Sequence, residues 1–461
     1  MNNAVLGIDL GTSALKILYI RSGKVEERSR STYEDENVPG CWMHALERAL
    51  SSIGGLDVVT AVGLSGQVGT YFINDKHLIS WQNSEGGTFV EEIALRYPAE
   101  TFISQIGMVH PRLASYPLPR LCYARQKYGP VRKVLQPKDV ITGVLTGRPV
   151  SDPYSWRGLA NAASCRYSRM LLKDAGISED VLPVLRQPWV CAGTLTQQAA
   201  AATGLPAGIP VYTGMNDFYA ALLGMGMTRT GDWFDITGTS EHLGLLEEDL
   251  CKKTKLISSP YLTGYVHYGV TGSTGVSLSF GACTFPEVIG ETLTDVQDLI
   301  EDAPVFLPYL NGERAPIFDS EAKGTFFGIT GKTTSRHMAY SVKEGVAFSL
   351  YHIYCSISGD RCKGSSKIRV SGGAAGDLLL CALKAELMQK ELVILEEPEA
   401  SAFGAGLTAM IGQNEISGPE EAASFVRTAR IIRPDGHFRG KLLKRYGSYL
   451  DLYRRVKGLK I

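Results

Sequence analysis

The triplet Gly-Thr-Ser occurs twice, as Gly11-Thr12-Ser13 (the first turn) and as Gly238-Thr239-Ser240 (the second turn). Each copy follows an apolar run that contains an aspartate, Asp9 or Asp235, and precedes a second run of β-type residues. This pattern predicts a tight turn between two strands. Glycine lets successive N–H groups in such a turn converge on one anion, and the hydroxyls add donors. The repeat therefore indicates two phosphate-binding turns, although ordinary hairpin turns would give the same pattern.

Asp9 stands directly before the first turn. A carboxylate beside a phosphate site is a position where Mg²⁺ can bind, often through water, while also contacting phosphate oxygens. The alternative is an aspartate that caps its own turn through the backbone.

A second carboxylate lies in Gly214-Met215-Asn216-Asp217, directly after the strand-like run at residues 209–212. Ligands of α/β sheets bind at the carboxyl ends of strands, so Asp217 could act as a general base on a hydroxyl. Asn216 could hydrogen-bond the same substrate. The competing interpretation is a helix N-cap.

A glycine-rich segment, Ser371-Gly372-Gly373-Ala374-Ala375-Gly376-Asp377, separates a predicted strand from a predicted helix. Glycines let the backbone approach a flat ligand closely, and a helix N-terminus favours phosphate or ribose oxygens. The segment does not match G-x-G-x-x-G, so a dinucleotide fold is not indicated. A turn without a ligand fits equally well. Gly331-Lys332-Thr333 is not a P-loop, because Phe326 occupies the position of its first glycine.

The elements that must position these residues alternate between strand-like runs and helix-length amphipathic segments, which is typical of α/β folds. Residues 58–64 predict a buried strand, and residues 42–53 and 377–389 predict helices. The Ala-, Gly- and Leu-rich stretch at residues 401–411 predicts a closely packed core helix. A chain of 461 residues suits two domains. We place them at residues 1–228 and 229–461.

Bulk composition excludes several classes of function. The chain has 47 basic and 47 acidic residues, and no basic patch stands out, so neither nucleic acid nor an anionic membrane is an expected partner. No apolar stretch approaches the ~18–20 residues that a membrane helix needs. The nine cysteines form no C-x-x-C pair, which disfavours a zinc site or a disulfide scaffold. We expect a reduced, cytoplasmic protein.

Taken together, these segments resemble the FGGY carbohydrate kinase family, whose fold is that of actin, hexokinase and the chaperone ATPases. The resemblance covers nearly the whole chain, in order. It is carried by residues 7–13, by Leu64-Ser65-Gly66-Gln67, by residues 135–153 with Lys138-Asp139, by Pro308-Tyr309-Leu310-Asn311-Gly312-Glu313-Arg314-Ala315-Pro316, and by residues 324–329 and 337–344.

The resemblance implies two ribonuclease-H-like (actin-like ATPase) domains with a nucleotide cleft between them, and the cofactors ATP and Mg²⁺. It implies Asp217 as the catalytic base and Asp9 as the metal-associated residue. The implied cofactor-binding residues are Gly11, Thr12, Ser13, Gly238, Thr239, Gly275, Gly372, Gly373 and Asp377. The implied substrate-binding residues are Gln67, Val68, Gly69, Trp81 and Asn216.

The chain departs from the family at several of these positions. Relatives that act on ketoses often have Met-His at Val68-Gly69, and Asp and Arg at Asn83 and Glu85. An Asn often stands at Asp377, and an apolar residue is usual at Lys343. Glu241 places a charge beside the second turn, and we expect its side chain to face solvent or a cation.

These residues predict ATP-dependent transfer of a phosphoryl group to a hydroxyl of a small ketose or sugar alcohol. The alternatives are a related kinase with a non-sugar, quinone-like substrate, an actin-like or chaperone-like ATPase switch, and a degenerate member that binds a ligand without turnover. Residues 308–316 and Asn216-Asp217 favour the sugar kinases. The resemblance also implies a homodimer, for which the sequence offers no separate signal.

Overall fold

The computed structural model describes residues 3–35, 38–109, 112–252, 255–286, 290–358 and 364–459. The chain forms two compact units. Unit 1 comprises Met1–Thr228, Ser259–Tyr265 and Glu399–Val426, and unit 2 comprises Arg229–Ser258, Val266–Pro398 and Arg427–Ile461. The predicted division had placed residues 259–265 and 399–426 in the second domain. Within the described ranges, no helix is long and apolar enough to cross a membrane.

The strands, in chain order, are β1 (Ala4–Leu10), β2 (Ala14–Arg21), β3 (Lys24–Thr32), β4 (Val59–Gly66), β5 (Tyr71–Ile73), β6 (His77–Ile79), β7 (Val134–Leu135), β8 (Val150–Ser151), β9 (Ala160–Asn161), β10 (Arg166–Tyr167), β11 (Val184–Leu185), β12 (Cys191–Thr194), β13 (Pro210–Asn216), β14 (Trp233–Thr237), β15 (His242–Glu247), β16 (Ile257–Tyr261), β17 (Gly264–Val270), β18 (Val305–Leu307), β19 (Thr325–Phe327), β20 (Lys367–Gly372), β21 (Glu391–Leu395) and β22 (Thr428–Ile432).

The α-helices are α1 (Pro39–Leu50), α2 (Gly87–Arg96), α3 (Ala99–Ile106), α4 (Pro117–Tyr128), α5 (Pro137–Thr146), α6 (Arg169–Ala175), α7 (Gln197–Thr203), α8 (Asp217–Gly224), α9 (Thr274–Thr284), α10 (Leu299–Asp302), α11 (Ser335–Ser358), α12 (Leu378–Met388), α13 (Ala400–Gly412), α14 (Pro419–Ala422) and α15 (Arg439–Val456).

The main sheet of unit 1 has the strand order β12-β13-β4-β1-β2-β3. β1 and β2 form an antiparallel hairpin joined by the first turn, and β4 and β13 add parallel strands beside β1. The carboxyl ends of β1, β4 and β13 therefore meet at one edge of the sheet. The sequence places Asp9, Ser65 and Asn216 at that edge.

The main sheet of unit 2 repeats this arrangement. Its strand order is β16-β17-β15-β14-β20-β21-β22. β14 and β15 form an antiparallel hairpin joined by the second turn, and β20 and β21 continue as parallel strands. The antiparallel β22 borders β21, as β12 borders β13 in unit 1. The two turns thus occupy equivalent positions in two similar α/β units.

Helix α13 packs against the sheet of unit 1 at the closest distances that backbones allow. A Cβ at Gly7 in β1 would lie 2.0 Å from the Ala402 carbonyl oxygen, and a Cβ at Gly63 in β4 would lie 1.9 Å from that of Ala405. A Cβ at Gly404 would lie 1.8 Å from the Ala220 carbonyl oxygen in α8. The prediction of a closely packed core helix is confirmed, and glycine is required on both sides of the contact.

Most predicted elements are confirmed, with shifts at their ends. The α/β class is confirmed, and α1, β4, α12 and α13 form where apolar periodicity predicts them. β13 runs through Gly214 and Met215 to Asn216, beyond the predicted end at residue 212. This extension makes Asp217 the first residue of α8 rather than part of a loop.

Candidate active site

In unit 1, Asp9 is a buried carboxylate held by the neighbouring strand. Its side chain is 6% exposed, and Ser65 Oγ donates a 2.6 Å hydrogen bond to Asp9 Oδ1. Burial raises the pKa of Asp9, while the Ser65 hydrogen bond and the charge of Lys16 oppose the rise. Lys16 is itself paired with Glu399. The ionised form of Asp9 is therefore costly until another cation approaches it.

This donor set fits a magnesium ion held largely by water and phosphate. The described residues contain no group of three or more His, Cys, Asp or Glu side chains that could hold a metal. Mg²⁺ commonly binds through one or two carboxylates, several waters and phosphate oxygens. A single buried carboxylate with a raised pKa supplies the hard oxygen and the charge that such an ion requires.

A chain of hydrogen bonds ties the predicted substrate segment to the first turn. The Trp81 indole N–H donates to Thr12 Oγ1 at 3.0 Å, and the Trp81 backbone N–H donates to Thr70 Oγ1 at 3.1 Å. Thr70 Oγ1 donates to Gln67 Oε1 at 3.1 Å. Gln67 Nε2 donates to the Gly11 carbonyl at 3.4 Å. The structure thus brings Gly11, Thr12, Gln67 and Trp81 together.

Val68 and Gly69 contribute no polar group to this region. Gly69 has a φ of 85°, and a Cβ there would lie 3.0 Å from Ser115 and 3.2 Å from the Trp81 Cβ. A side chain at position 69 would therefore meet both a strained backbone conformation and its neighbours.

Asn83 and Glu85 are turned toward a buried arginine. Arg120 donates to the carbonyls of Ser80 and Asn83 at 3.0 and 2.8 Å, and its guanidinium lies 3.6 Å from Glu85 Oε2. Asn83 Nδ2 also donates to Glu85 Oε1 at 3.2 Å. The segment that follows Trp81 is thus ordered by contacts within unit 1.

Asn216 has the contacts of a helix cap. Its Oδ1 accepts from the Tyr219 N–H at 3.1 Å, its Nδ2 donates to the Tyr154 carbonyl at 2.8 Å, and its side chain is 0% exposed. Both polar groups of Asn216 therefore stabilise the start of α8. Its predicted contact with substrate stays a prediction.

Asp217 follows as the first residue of α8 and is partly exposed. Its Oδ1 accepts from the Phe218 N–H at 2.7 Å. Burial of the carboxyl and the negative charge of Asp9 raise the pKa of Asp217 to about 7, against the opposing effects of the Phe218 N–H and the charge of Arg157. A carboxyl that titrates near neutral pH can accept a proton from a hydroxyl.

Arg157 is a residue of this site that the sequence analysis did not identify. Its guanidinium carbon lies 5.6 Å from the ring centroids of Tyr116 and Phe218, and 5.5 Å from that of Tyr219. It is the cation that lowers the pKa of Asp217. No motif marks it, because it comes near Asp217 only through the packing of residues 154–158 against α8.

In unit 2, the second turn lies against the N-terminus of α9. The Gly275 N–H donates to the Thr239 carbonyl at 3.0 Å, and a Cβ at Gly275 would lie 2.6 Å from the Gly238 carbonyl oxygen. Gly238 and Thr239 are exposed. A helix N-terminus beside an exposed turn of N–H and hydroxyl donors is suited to phosphate.

Arg314 adds a cation to this turn. Its NH1 lies 3.5 Å from Ser240 Oγ, and its side chain is exposed. The adjacent Glu313 is buried and accepts from Ser349 Oγ at 2.7 Å and from the Arg314 N–H at 2.8 Å. Arg314 lies within the motif at residues 308–316 but was not among the predicted site residues, although a guanidinium is a common ligand of phosphate.

The buried end of the second turn contains an ion cluster of Asp235, Glu241 and Lys384. Lys384 Nζ lies 2.9 Å from Asp235 Oδ2 and also donates to Glu241. The three side chains are 0–1% exposed. Burial and the charge of Asp235 raise the pKa of Glu241, and the charge of Lys384 opposes that rise. Of the two expectations for Glu241, the structure supports the cation rather than solvent.

The glycine-rich segment lies beside the second turn, at the carboxyl end of β20. Gly372 has a φ of 101°, and a Cβ there would lie 2.0 Å from the Thr237 carbonyl oxygen. Apart from the adjacent residues of the chain, no atom of the described residues lies within 4 Å of the positions that a Cβ would take at Gly373 or Gly376. This open surface beside a strand end fits the approach of a flat ligand such as a nucleoside.

Asp377 caps α12 and pairs with a lysine. Its Oδ1 accepts from the Leu380 N–H at 3.0 Å, and its Oδ2 is paired with Lys343. Lys343 and Asp377, which both differ from the residues usual in the family, therefore contact each other. The predicted contact of Asp377 with the cofactor stays a prediction.

Comparison with known proteins identifies the family. Residues 4–224 match the model of the N-terminal domain of the FGGY family of carbohydrate kinases, and residues 236–412 match the model of its C-terminal domain. The chain therefore belongs to the FGGY family of carbohydrate kinases. It is an ATP-dependent sugar kinase that uses ATP with Mg²⁺, and the ATPase-switch alternative is not favoured.

Individual relatives agree with this assignment. The xylulose kinase of Bacillus subtilis strain 168 is 27% identical over 98% of this chain and 96% of its own length. A xylulose kinase and a gluconate kinase from Lactobacillus acidophilus each match with a TM-score of 0.84, 21% identity and 99% coverage of both chains. These structures confirm the predicted fold of two actin-like ATPase domains.

Proposed function

We propose that the acceptor is a small ketose or sugar alcohol and that Asp217 is the general base. The observation that carries this proposal is the partly exposed Asp217 carboxyl at the strand edge of unit 1, with a pKa of about 7. A base is most effective when its pKa lies near the working pH, because it is then largely ionised and still basic enough to take a proton.

In this proposal the residues of unit 1 bind and orient the acceptor. Gln67 and Trp81 face the acceptor, and their hydrogen bonds to the first turn fix their positions. Asp217 accepts the proton of the acceptor hydroxyl as that hydroxyl attacks phosphorus. The Phe218 N–H and, to a smaller extent, the charge of Arg157 favour the ionised form of Asp217 that this step requires.

The remaining residues bind the phosphates. In unit 1, Asp9 would hold Mg²⁺ and Thr12 would donate a hydrogen bond to a phosphate oxygen. In unit 2, Thr239 would donate a hydrogen bond to phosphate and Arg314 would supply a positive charge. When bound, Mg-ATP supplies the phosphoryl group and neutralises part of its charge. Gly373 leaves the backbone accessible to the nucleoside.

Xylulose is the first acceptor to test, because several relatives matched along most of this chain are xylulose kinases. Because four positions differ from the residues that are usual in ketose kinases, other acceptors must be tested as well. These positions are Val68, Gly69, Asn83 and Glu85. We also expect a cytoplasmic protein. These assignments, and the homodimer, stay predictions.

The test is release of ADP from Mg-ATP in the presence of separate pentuloses, hexuloses, heptuloses, polyols and glycerol, with a reaction lacking acceptor as the control. We expect one class, with xylulose first, to stimulate release well above the control. If every ketose and polyol leaves release at the control rate while ATP still binds, the proposed acceptor class is wrong.

A further inference from the structure

The second turn is attached at both ends to one buried ammonium group. Asp235 lies three residues before Gly238, and Glu241 directly follows Ser240. Both carboxylates contact Lys384, which projects from α12. The turn itself exposes Gly238 and Thr239. Its conformation therefore depends on what holds its two ends.

A second set of contacts links the same end of the turn to α9. The Glu241 N–H donates to Thr271 Oγ1 at 3.0 Å, and the Thr271 N–H donates to the Glu241 carbonyl at 2.9 Å. Thr271 Oγ1 also lies 2.7 Å from Thr274 Oγ1, at the start of the helix. Fixing Glu241 thus fixes the spacing between the second turn and the N-terminus of α9.

Stability alone is a weak explanation for such a cluster. Taking three charged groups out of water is costly, and apolar residues of similar volume often stabilise a protein as well or better. A buried ion cluster can instead specify one arrangement of the segments that it joins. Here those segments are the two ends of the second turn and α12.

We propose that Lys384 is a positioning residue for ATP binding, which clamps both ends of the second turn so that its donors converge on phosphate. This inference rests on the proposed role of the second turn in binding ATP. In this proposal Lys384 itself contacts neither substrate nor nucleotide. Its effect reaches phosphate through the backbone of residues 238–240.

The primary test is Lys384→Met, which keeps the length of the side chain and removes its charge. We expect the Kd of a non-hydrolysable ATP analogue, measured by calorimetry, and the KM for ATP to rise at least about tenfold. The KM for the acceptor should change by less than about threefold, because the acceptor residues lie in unit 1.

Lys138 provides a matched control in unit 1. It is also buried, and its Nζ lies 3.4 Å from Asp139 Oδ1 and 3.2 Å from Asp152 Oδ2. Lys138→Met should lower the melting temperature as Lys384→Met does, without a comparable rise in the Kd of the ATP analogue. An equal rise in both variants would show a general effect of lost stability and overturn the proposal.

A variant without charges in this cluster distinguishes a positioning role of Lys384 from a role in neutralising the two carboxylates. The triple variant Asp235→Asn, Glu241→Gln, Lys384→Met contains no buried charge at this site, so it should fold even if Lys384→Met alone does not. We expect its ATP affinity to remain weakened. Wild-type affinity in a stable triple variant would mean that Lys384 only neutralises the carboxylates.

Thr239→Val distinguishes failure of this inference from failure of the proposed function. We expect this variant to bind the ATP analogue more weakly than wild type. If it does while Lys384→Met does not, only the positioning role is wrong. If Thr239→Val binds the analogue as wild type does, the proposed contact of the Thr239 hydroxyl with phosphate is wrong, whereas the proposed acceptor and the role of Asp217 are tested separately by the ADP-release assay.

Discussion

At the scale of single residues, the environment of Asp217 decides its chemistry. A free carboxyl is almost fully ionised and a poor base at neutral pH, whereas burial and the charge of Asp9 raise the pKa of Asp217 to about 7. Arg157 and the Phe218 N–H limit that rise. The balance leaves a carboxylate that is ionised for a large part of the time and still basic.

Replacing Asp217 by alanine should lower kcat roughly 10²–10⁴-fold, the range associated with loss of a general base. The Kd for an ATP analogue should change little, because the proposed nucleotide residues lie elsewhere. Steady-state kinetics with the stimulating acceptor, together with calorimetry, checks both parts. Near-normal turnover would exclude Asp217 from the mechanism.

The pH profile gives an independent test of the same residue. Because the deprotonated form is the base, kcat/KM should fall as the pH decreases through the pKa of Asp217, which is about 7 without Mg²⁺ and lower once Mg²⁺ neutralises the charge of Asp9. Arg157→Met removes the charge that lowers this pKa, so the acid limb should move to higher pH. A limb that does not move in Arg157→Met would show that another group titrates.

At the scale of elements, α9 and the second turn pack so closely at Gly275 that no side chain fits between them. Gly275→Ala would place a Cβ 2.6 Å from the Gly238 carbonyl oxygen, and both groups belong to backbone. We expect the KM for ATP to rise about tenfold and the protein to lose about 1–3 kcal/mol of stability.

Gly447 in α15 supplies the control for that substitution. Apart from the backbone of α15 itself, no atom in the described part of the chain lies within 4 Å of the position of a Cβ at Gly447. Gly447→Ala should raise stability by about 0.5–1 kcal/mol through helix propensity and leave the KM for ATP unchanged. Equal KM values in the two variants would contradict the proposed role of the contact.

At the scale of the whole molecule, unit 1 is built from distant parts of the chain. Residues 399–426 supply α13, which covers β1, β4 and α8 through glycine contacts. A fragment of residues 1–228 alone should lack cooperative urea unfolding, because that face of the sheet is exposed. Fusing residues 399–426 to it through a flexible linker should restore a cooperative transition.

Gly404 allows a control for this fragment experiment. Gly404→Val in the fused fragment would place a Cβ 1.8 Å from the Ala220 carbonyl oxygen. That variant should lose the restored transition. A cooperative transition for residues 1–228 without α13 would contradict the assignment of that helix to the core of unit 1.

The sequence by itself determined the α/β class, the two turns and the site segments. These features follow from short-range rules, since apolar periodicity predicts strands and helices, and glycine with small hydroxyls marks an anion-binding turn. Asp9, Thr12, Asp217 and Thr239 could be chosen in this way. Each lies within a motif whose residues are neighbours in the chain.

Only the tertiary structure decided which distant groups surround these motifs. The pairing of Glu241 with Lys384, 143 residues away, depends on how the fold of unit 2 brings α12 to the second turn, and no local pattern predicts it. The position of Arg157 beside Tyr219 and the membership of α13 in unit 1 also depend on packing between residues that are distant in the sequence. A single sequence records short-range propensities, whereas burial and long-range charge pairing arise only when the chain has packed.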